Sequence, residues 1–200
     1  MDTKIISKYG YKKIFIAFIF FLLSLVFDCF WILFGFIFLL LVLFYINPER
    51  EADFIDKLAL YCPVDGIVKE ISITNLNGKT YTKVIIKKTL FSPSLVRGLN
   101  NCEILDFMFK TGLDMCKNDS LNSRAIFECI GENGKFKMIF IGGALSNFIR
   151  FENFKNLNIL KRFGFFPDGK VILVFENSIS LKICLEDKVK AGQILGFYEV

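Results

Sequence analysis

The residues with the clearest chemical potential lie in the stretch GFFPDGKVILVF, Gly164 to Phe175. At its centre, Asp168, Gly169 and Lys170 form a turn that leads into a strand pattern. A lysine that is removed from water forms a Schiff base with a carbonyl substrate. Beside a second cation, the same lysine holds a phosphate or a carboxylate. The alternative is an ordinary solvated turn in which Lys170 lies beside Asp168.

Four further residues join the candidate set because of the motifs around them. Asp65 and Arg97 stand in CPVDG and LFSPSLVRG, and Asn122 and Arg124 stand in LNSR. Arg97, Asn122, Arg124 and Lys170 offer cationic and amide donors, so we predict that they bind a lipid headgroup or another anion. The alternatives are an Asp-Gly turn at Asp65 and a solvated loop at Asn122 and Arg124.

Composition excludes several classes of function. The chain has no histidine and no CxxC pair, so no metal site is expected. A net charge of +5 without a basic run gives no sign of a nucleic-acid partner. In a cytosolic domain the six cysteines are expected to be reduced and buried: Cys29, Cys62, Cys102, Cys116, Cys129 and Cys184.

An apolar run from Ile14 to Ile46 predicts a membrane segment. As one helix it would be about 50 Å long, against a hydrocarbon core of about 30 Å. Asp28 in its middle favours a transmembrane α-hairpin with the carboxylate at the apex, since a mid-membrane charge costs at least about 2.5 kcal/mol. One long tilted helix remains open, whereas a cleaved signal peptide does not fit a run of this length.

Lysines before this run predict its orientation. Lys4, Lys8, Lys12 and Lys13 place the amino terminus in the cytoplasm, and a hairpin returns the rest of the chain to the same side. We therefore expect the cell inner membrane, with the following domain on its cytoplasmic face. The predicted domains are a basic terminus (1–13), a membrane hairpin (14–46) and a β domain (47–200), with helical turns along the membrane surface at 51–61.

Short alternating runs separated by turn residues predict a mostly-β fold after the hairpin. Tight turns with positive φ are expected at Asn77-Gly78, at 132–134 and at Asp168-Gly169. The segment 90–119 is less regular, and 187–200 resembles the hammerhead turn of barrel-sandwich folds. The predicted strands are 66–73, 81–89, 125–130, 135–142, 170–176, 179–185 and 193–199.

Six short motifs, in order, resemble the phosphatidylserine decarboxylase family, in particular its short membrane-anchored bacterial and archaeal branch. There the pattern runs FRDPER, SPADG, SPxDVHxxR, NER and a Gly-Ser before a strand. The resemblance covers nearly the whole chain and implies a barrel-sandwich-like domain. The matching motifs are YINPER (45–50), CPVDG (62–66), LFSPSLVRG (90–98), LNSR (121–124), IGGA (141–144) and KAGQILG (190–196).

The resemblance implies the chemistry of a pyruvoyl-dependent carboxy-lyase. In the family a serine hydroxyl attacks the preceding glycine carbonyl, and elimination leaves a pyruvoyl group at the new amino terminus. That ketone forms a Schiff base with the serine headgroup and accepts electrons as CO₂ departs. An aspartate of SPADG and a histidine of SPxDVH assist the cleavage and the proton transfers.

Two of these functional positions differ in this chain. Asp65 keeps the position of the assisting aspartate, but Arg97 stands at the histidine position, and arginine cannot shuttle a proton. Aligned without gaps, the family's GFIKFGSRV falls on GFFPDGKVI, so Gly169 keeps the glycine and Lys170 replaces the serine. Shifting the register by one places Gly169 itself at the nucleophile position. Ser178 and Ser180, the nearest hydroxyls, lie beside and within the next predicted strand, so we expect no pyruvoyl group and no other cofactor.

Three hypotheses of function follow. The first is a catalytically degenerate relative that binds an anionic inner-membrane phospholipid or a phosphatidylserine-synthesis enzyme. The second is an active decarboxylase that produces phosphatidylethanolamine, which requires a nucleophile elsewhere in the chain. The third is a membrane-tethered interaction module without a lipid pocket. A homodimer is left open in each case.

Overall fold

The computed structural model describes residues 6–28, 30–46, 48, 56–76, 78–90, 92–113, 119–152, 155–176 and 179–199. The chain divides into two compact units, Met1–Glu49 and Arg50–Val200.

The first unit is a helical hairpin. Helices α1 (Tyr11–Val26) and α2 (Trp31–Phe44) are joined by a turn in which Asp28 has a φ of 49°. The rings of Phe18 and Phe38 pack between the helices, with centroids 5.6 Å apart. The predicted hairpin with Asp28 at its apex is therefore confirmed.

The predicted transmembrane character of this hairpin needs correction. The helices have 16 and 14 residues, which corresponds to about 24 and 21 Å against a hydrocarbon core of about 30 Å. In the described part of the chain, no helix combines the length and the apolar character required to cross a membrane.

The second unit consists mainly of β-strands, and its paired strands run antiparallel to each other. A curled eight-stranded sheet has the order β13-β2-β3-β11-β7-β6-β5-β9, and two three-stranded sheets have the orders β1-β14-β12 and β4-β10-β8. The strands are β1 (Ala59–Tyr61), β2 (Gly66–Leu76), β3 (Lys79–Lys88), β4 (Leu95–Arg97), β5 (Cys102–Lys110), β6 (Arg124–Gly131), β7 (Gly134–Gly142), β8 (Arg150–Phe151), β9 (Asn156–Leu157), β10 (Arg162–Phe165), β11 (Gly169–Phe175), β12 (Ile179–Leu181), β13 (Lys188–Val189) and β14 (Ile194–Tyr198).

The mostly-β prediction is confirmed, with two local corrections. The strand expected at 179–185 ends at Leu181, because a turn follows in which the Asp187 carboxylate accepts the Cys184 N–H at 2.7 Å. The helical turns expected at 51–61 give way to strand β1 at 59–61, which pairs with β14. The remaining part of that prediction, 51–55, lies outside the described residues.

The large sheet has one face in the core and one face outward. Along β11, Val171, Leu173 and Phe175 are buried, whereas Lys170 and Ile172 alternate with them on the other face and are half-buried. Phenylalanines dominate the core: the Phe127 ring lies 5.0 to 5.8 Å from those of Phe140, Phe151 and Phe163. Strand β11, where the sequence places the candidate chemistry, lies beside this cluster, since its Val171 pairs with Phe140.

The cysteine prediction is confirmed in part. Cys62, Cys102 and Cys129 are free and buried, but Cys184 is free and exposed. A hydrogen bond to Cys102, together with burial, raises the pKa of the Cys129 thiol far above its usual range. This thiol is therefore protonated and unreactive at neutral pH. Cys29 and Cys116 lie outside the described residues.

Replacing Tyr198 with phenylalanine should reduce the loss of folding stability that occurs as the pH rises above 10. Burial raises the pKa of Tyr198 from 10 to about 12. The unfolded chain therefore loses this proton first, and stability falls between pH 10 and pH 12. The Tyr198→Phe protein lacks this contribution, worth about 2–3 kcal/mol at the upper limit. Urea unfolding of both proteins across this range measures the difference, and parallel curves would contradict the prediction.

Candidate functional site

The candidate turn opens strand β11 in the middle of the large sheet. Gly169 lies opposite Lys88 on β3 and Gly142 on β7, and Lys170 lies opposite Lys87 and Ile141. The strand is paired on both sides from its first residue, so its backbone is held in place there. The predicted turn at Asp168-Gly169 is confirmed, and Gly169 has a φ of 129°.

Asp168 secures the loop that follows β7. Its side chain is buried, with Oδ2 accepting the Ala144 N–H at 2.8 Å and Oδ1 accepting the Leu145 N–H at 3.0 Å. The Gly143 N–H also donates to the Asp168 carbonyl, at 3.2 Å. Asp168 is thus a structural cap of the IGGA loop rather than a solvated neighbour of Lys170.

Lys170 pairs with a different carboxylate. Its Nζ donates to Oδ2 of Asp119 at 2.7 Å, and both side chains are somewhat less than half exposed. An ion pair with this exposure contributes about 0–1 kcal/mol to stability. Lys170 therefore pairs with Asp119 and not, as expected, with Asp168. Because the Lys170 side chain is partly exposed, an anion can reach its ammonium group from solvent.

Gly169 has no room for a side chain. A Cβ atom built on it would contact the carbonyl oxygen of Ile141, and the Gly143 nitrogen would lie 3.0 Å away. Both are backbone atoms of the neighbouring strand and its loop, so they cannot move aside as a flexible side chain does. Position 169 therefore accepts glycine alone in this backbone.

Two other predicted residues lie at the same end of the sheet as Lys170, at and just before the start of β6. Arg124, the first residue of β6, pairs with Ile141, which pairs with Lys170 on its other side. Asn122 is buried in the turn before β6, where its N–H donates to the Asp119 carbonyl at 3.3 Å. The 3₁₀ turn 119–121 thus places its carboxylate beside Lys170 and leads directly into Arg124.

The remaining two predicted residues are placed elsewhere. Arg97 is buried on β4, in a different sheet, where its Nη1 donates to the Leu160 carbonyl at 3.4 Å. Asp65 is buried ahead of β2, and its Oδ1 accepts the Ala191 N–H at 2.8 Å. That hydrogen bond ties the CPVDG segment to the turn before β14.

Sequence reasoning missed a pair of buried serines near Gly169. Ser123 and Ser146 both lie close to Gly142, the partner of Gly169 in the sheet: a Cβ atom on Gly142 would meet the Ser146 Cβ and the Ser123 carbonyl oxygen. Their hydroxyls are 3.3 Å apart, and the Ser123 hydroxyl accepts the Gly112 N–H at 2.9 Å. Ser123 belongs to the LNSR motif, so the motif itself pointed to it. Ser146 carried no comparable signal.

The residues at the start of β11 do not fit a pyruvoyl group. Such a group derives from a residue with a side-chain hydroxyl, and positions 169 and 170 hold a glycine without room for a Cβ and an ion-paired lysine. Ser180 lies on β12, in another sheet, and Ser178 lies outside the described residues. We therefore assign no step of chemistry to that group in this chain.

Comparison with known proteins identifies one family. The family model described as phosphatidylserine decarboxylase matches residues 106–197. No curated protein and no solved structure gives a match. The matched segment runs from within β5 to within β14 and contains Asp119, Arg124 and Lys170, whereas Asp65 and Arg97 precede it. Residues 106–197, a little less than half of the chain, therefore match the phosphatidylserine decarboxylase family, the family that its motifs resemble.

Proposed function

We propose that this protein acts in phospholipid metabolism at a membrane, without a pyruvoyl group, by binding an anionic phospholipid headgroup. The observation that carries the proposal is the replacement of the family's serine by a lysine at the start of β11. Where the family's serine would stand, Lys170 presents a half-exposed ammonium group, and Arg124 lies two strands away in the same row of paired residues. Gly169, the alternative register, has no room for a nucleophile.

The local charges support an anion as the ligand. Lys170 and Arg124 flank Ile141 on the same face of the sheet, because paired residues of neighbouring strands point to the same side. A phosphate or carboxylate there would accept charge-assisted hydrogen bonds from both cations. Asp119 competes for the same ammonium group, so its carboxylate limits the affinity for the anion. Arg97, buried in another sheet, is not part of the proposed headgroup site.

The membrane location is part of the proposal. The basic amino terminus and the apolar hairpin favour the cytoplasmic face of the inner membrane, as the sequence predicts. A phosphatidylserine-synthesis enzyme remains the proposed protein partner. If this chain binds the headgroup of the lipid that the enzyme makes, both proteins meet at the same lipid.

Soluble short-chain lipids test the headgroup site without a bilayer. The full chain should bind dihexanoyl phosphatidylserine and phosphatidylglycerol, and bind phosphatidylcholine at least about tenfold more weakly. Lys170→Gln should lower the affinity for the anionic lipids, whereas Asp119→Asn should raise it by freeing the lysine. A purely structural role of the ion pair would move both variants in the same direction.

The control variant is Lys57→Gln, which removes an exposed lysine ahead of β1. Calorimetric titration measures all of these affinities. Equal binding of phosphatidylcholine, or an unchanged affinity in both Lys170→Gln and Asp119→Asn, would overturn the headgroup site.

A further inference from the structure

The outer face of the large sheet carries more positive charge than one headgroup requires. Residues paired across neighbouring strands stand side by side on one face, about 5 Å apart. Following these pairs in both directions from Lys170 gives one continuous row that crosses the sheet from β13 to β5. Its basic members, here called the basic row, are Lys188, Lys87, Lys170, Arg124 and Lys110.

The row holds little compensating negative charge. Its other two members are Ile67 and Ile141, so the row itself contains no acidic residue. Asp119 reaches it through the ion pair with Lys170. At the β13 end, Glu186 is paired with Lys69, and the Asp187 carboxylate caps the Cys184 N–H.

An apolar row runs parallel to the basic row on the same face, two residues further along each strand. Its isoleucines are half-buried, and Met108 at the β5 end is 41 % exposed. The members, here called the apolar stripe, are Ile85, Ile172, Ile139, Ile126 and Met108.

The next row on this face is polar and closely balanced in charge. Lys137 forms an ion pair with Glu128 in the same row, and Lys83 forms one with Glu70, which lies opposite Ile85 at the β2 end of the apolar stripe. The apolar stripe thus lies between a strongly cationic row and a row in which the lysines already have carboxylate partners. Positive charge is concentrated on one side of the stripe.

We infer that this face docks on the surface of an anionic phospholipid bilayer. Long lysine and arginine side chains reach headgroup phosphates while their methylene stems lie along apolar surface. Each basic residue near an anionic leaflet adds to the attraction between the protein and the membrane. Apolar side chains beside the basic residues enter the boundary between headgroups and acyl chains. A nucleic acid would instead favour aromatic side chains for base stacking, and neither the basic row nor the apolar stripe contains one.

The inference extends the proposed function from one headgroup to a membrane surface, and it rests on that function for the choice of phospholipid as the anion. The two are separable. The headgroup site requires Lys170 and Asp119, whereas docking requires the whole basic row and the apolar stripe. Binding of short-chain lipid tests the former, and a bilayer tests the latter.

Lysine footprinting of the full chain in nanodiscs tests the docking face. We expect acetylation of Lys87, Lys110 and Lys188 to slow by about threefold or more when phosphatidylglycerol is added to phosphatidylcholine discs. Lys57 and Lys182, at the β1-β14-β12 sheet, should react equally in both discs. Equal protection of all five lysines, no protection of any, or no association with discs would overturn the inference.

Variants separate the basic row from the apolar stripe. Lys87→Glu/Lys110→Glu should abolish the protection of Lys188, while Lys57→Glu/Lys182→Glu, with the same change in net charge, should preserve it. Met108→Glu should also reduce this protection, because it places a charge in the stripe. Protection that survives both Lys87→Glu/Lys110→Glu and Met108→Glu would contradict the inference. Protection by an oligonucleotide but not by anionic discs would overturn it in favour of a nucleic-acid surface.

Discussion

Replacing Gly169 with alanine should destabilise the protein by roughly 3–5 kcal/mol. Two effects add. A φ of 129° is a conformation that side chains other than glycine rarely adopt, and the new Cβ would collide with the Ile141 carbonyl oxygen. That oxygen belongs to a strand paired on both sides, so relief requires the opening of the sheet at this point. Urea unfolding measures the loss as a lower midpoint with an unchanged slope.

Gly78→Ala separates the two effects. Gly78 has a φ of 75°, but a Cβ atom there would meet nothing within 4 Å. Alanine at this turn therefore costs about 1 kcal/mol of backbone strain without a collision. Equal losses at Gly169 and Gly78 would show that Ile141 does not exclude a side chain at the start of β11. Position 169 would then have room for a residue with a nucleophilic side chain.

Replacing Asp168 with alanine should cost about 2–4 kcal/mol. The substitution removes the acceptors of the Ala144 and Leu145 N–H groups, so that the loop after β7 keeps only its backbone hydrogen bond from Gly143 to the Asp168 carbonyl. Hydrogen exchange of these two amides should accelerate more than that of the strands on either side. Asp168→Asn, which keeps one acceptor oxygen in the same shape, should lose about half as much.

Asp187→Ala is the matched control for this prediction. Asp187 also accepts a backbone N–H, from Cys184, but at an exposed turn where water replaces the lost acceptor. We expect a loss below about 1 kcal/mol. If Asp168→Ala cost no more than Asp187→Ala, Asp168 would not secure the loop, and its burial would have no structural consequence.

The longer strands were predictable because apolar, buried side chains alternate in them with side chains on the outer face. In β11, Val171, Leu173 and Phe175 face the core while Lys170 and Ile172 face outward, and this pattern is visible in the sequence. Strands of two to four residues, such as β8 and β10, carry no such period, and β1 was assigned to helical turns for the same reason. Their pairing depends on distant partners.

The candidate site was predictable in part. Motifs identified Lys170, Arg124 and Asn122, which the fold brings to one end of the sheet. The partner of Lys170 is Asp119, 51 positions away in the sequence, and only the fold brings the two together. Arg97 appeared to belong with them because lysine and arginine suit the same anion. Its burial on β4 depends on a strand too short to recognise in the sequence.

The intact mass of the purified full chain shows whether the chain cleaves itself to form a pyruvoyl group. We predict a single species at 23.0 kDa with its original amino terminus, because neither Gly169 nor Lys170 supplies the hydroxyl that self-cleavage needs. Two fragments, with a pyruvoyl group at the start of the second, would contradict the account. The mass of that fragment would name the residue responsible, and a start at position 123 or 146 would assign the role to one of the buried serines.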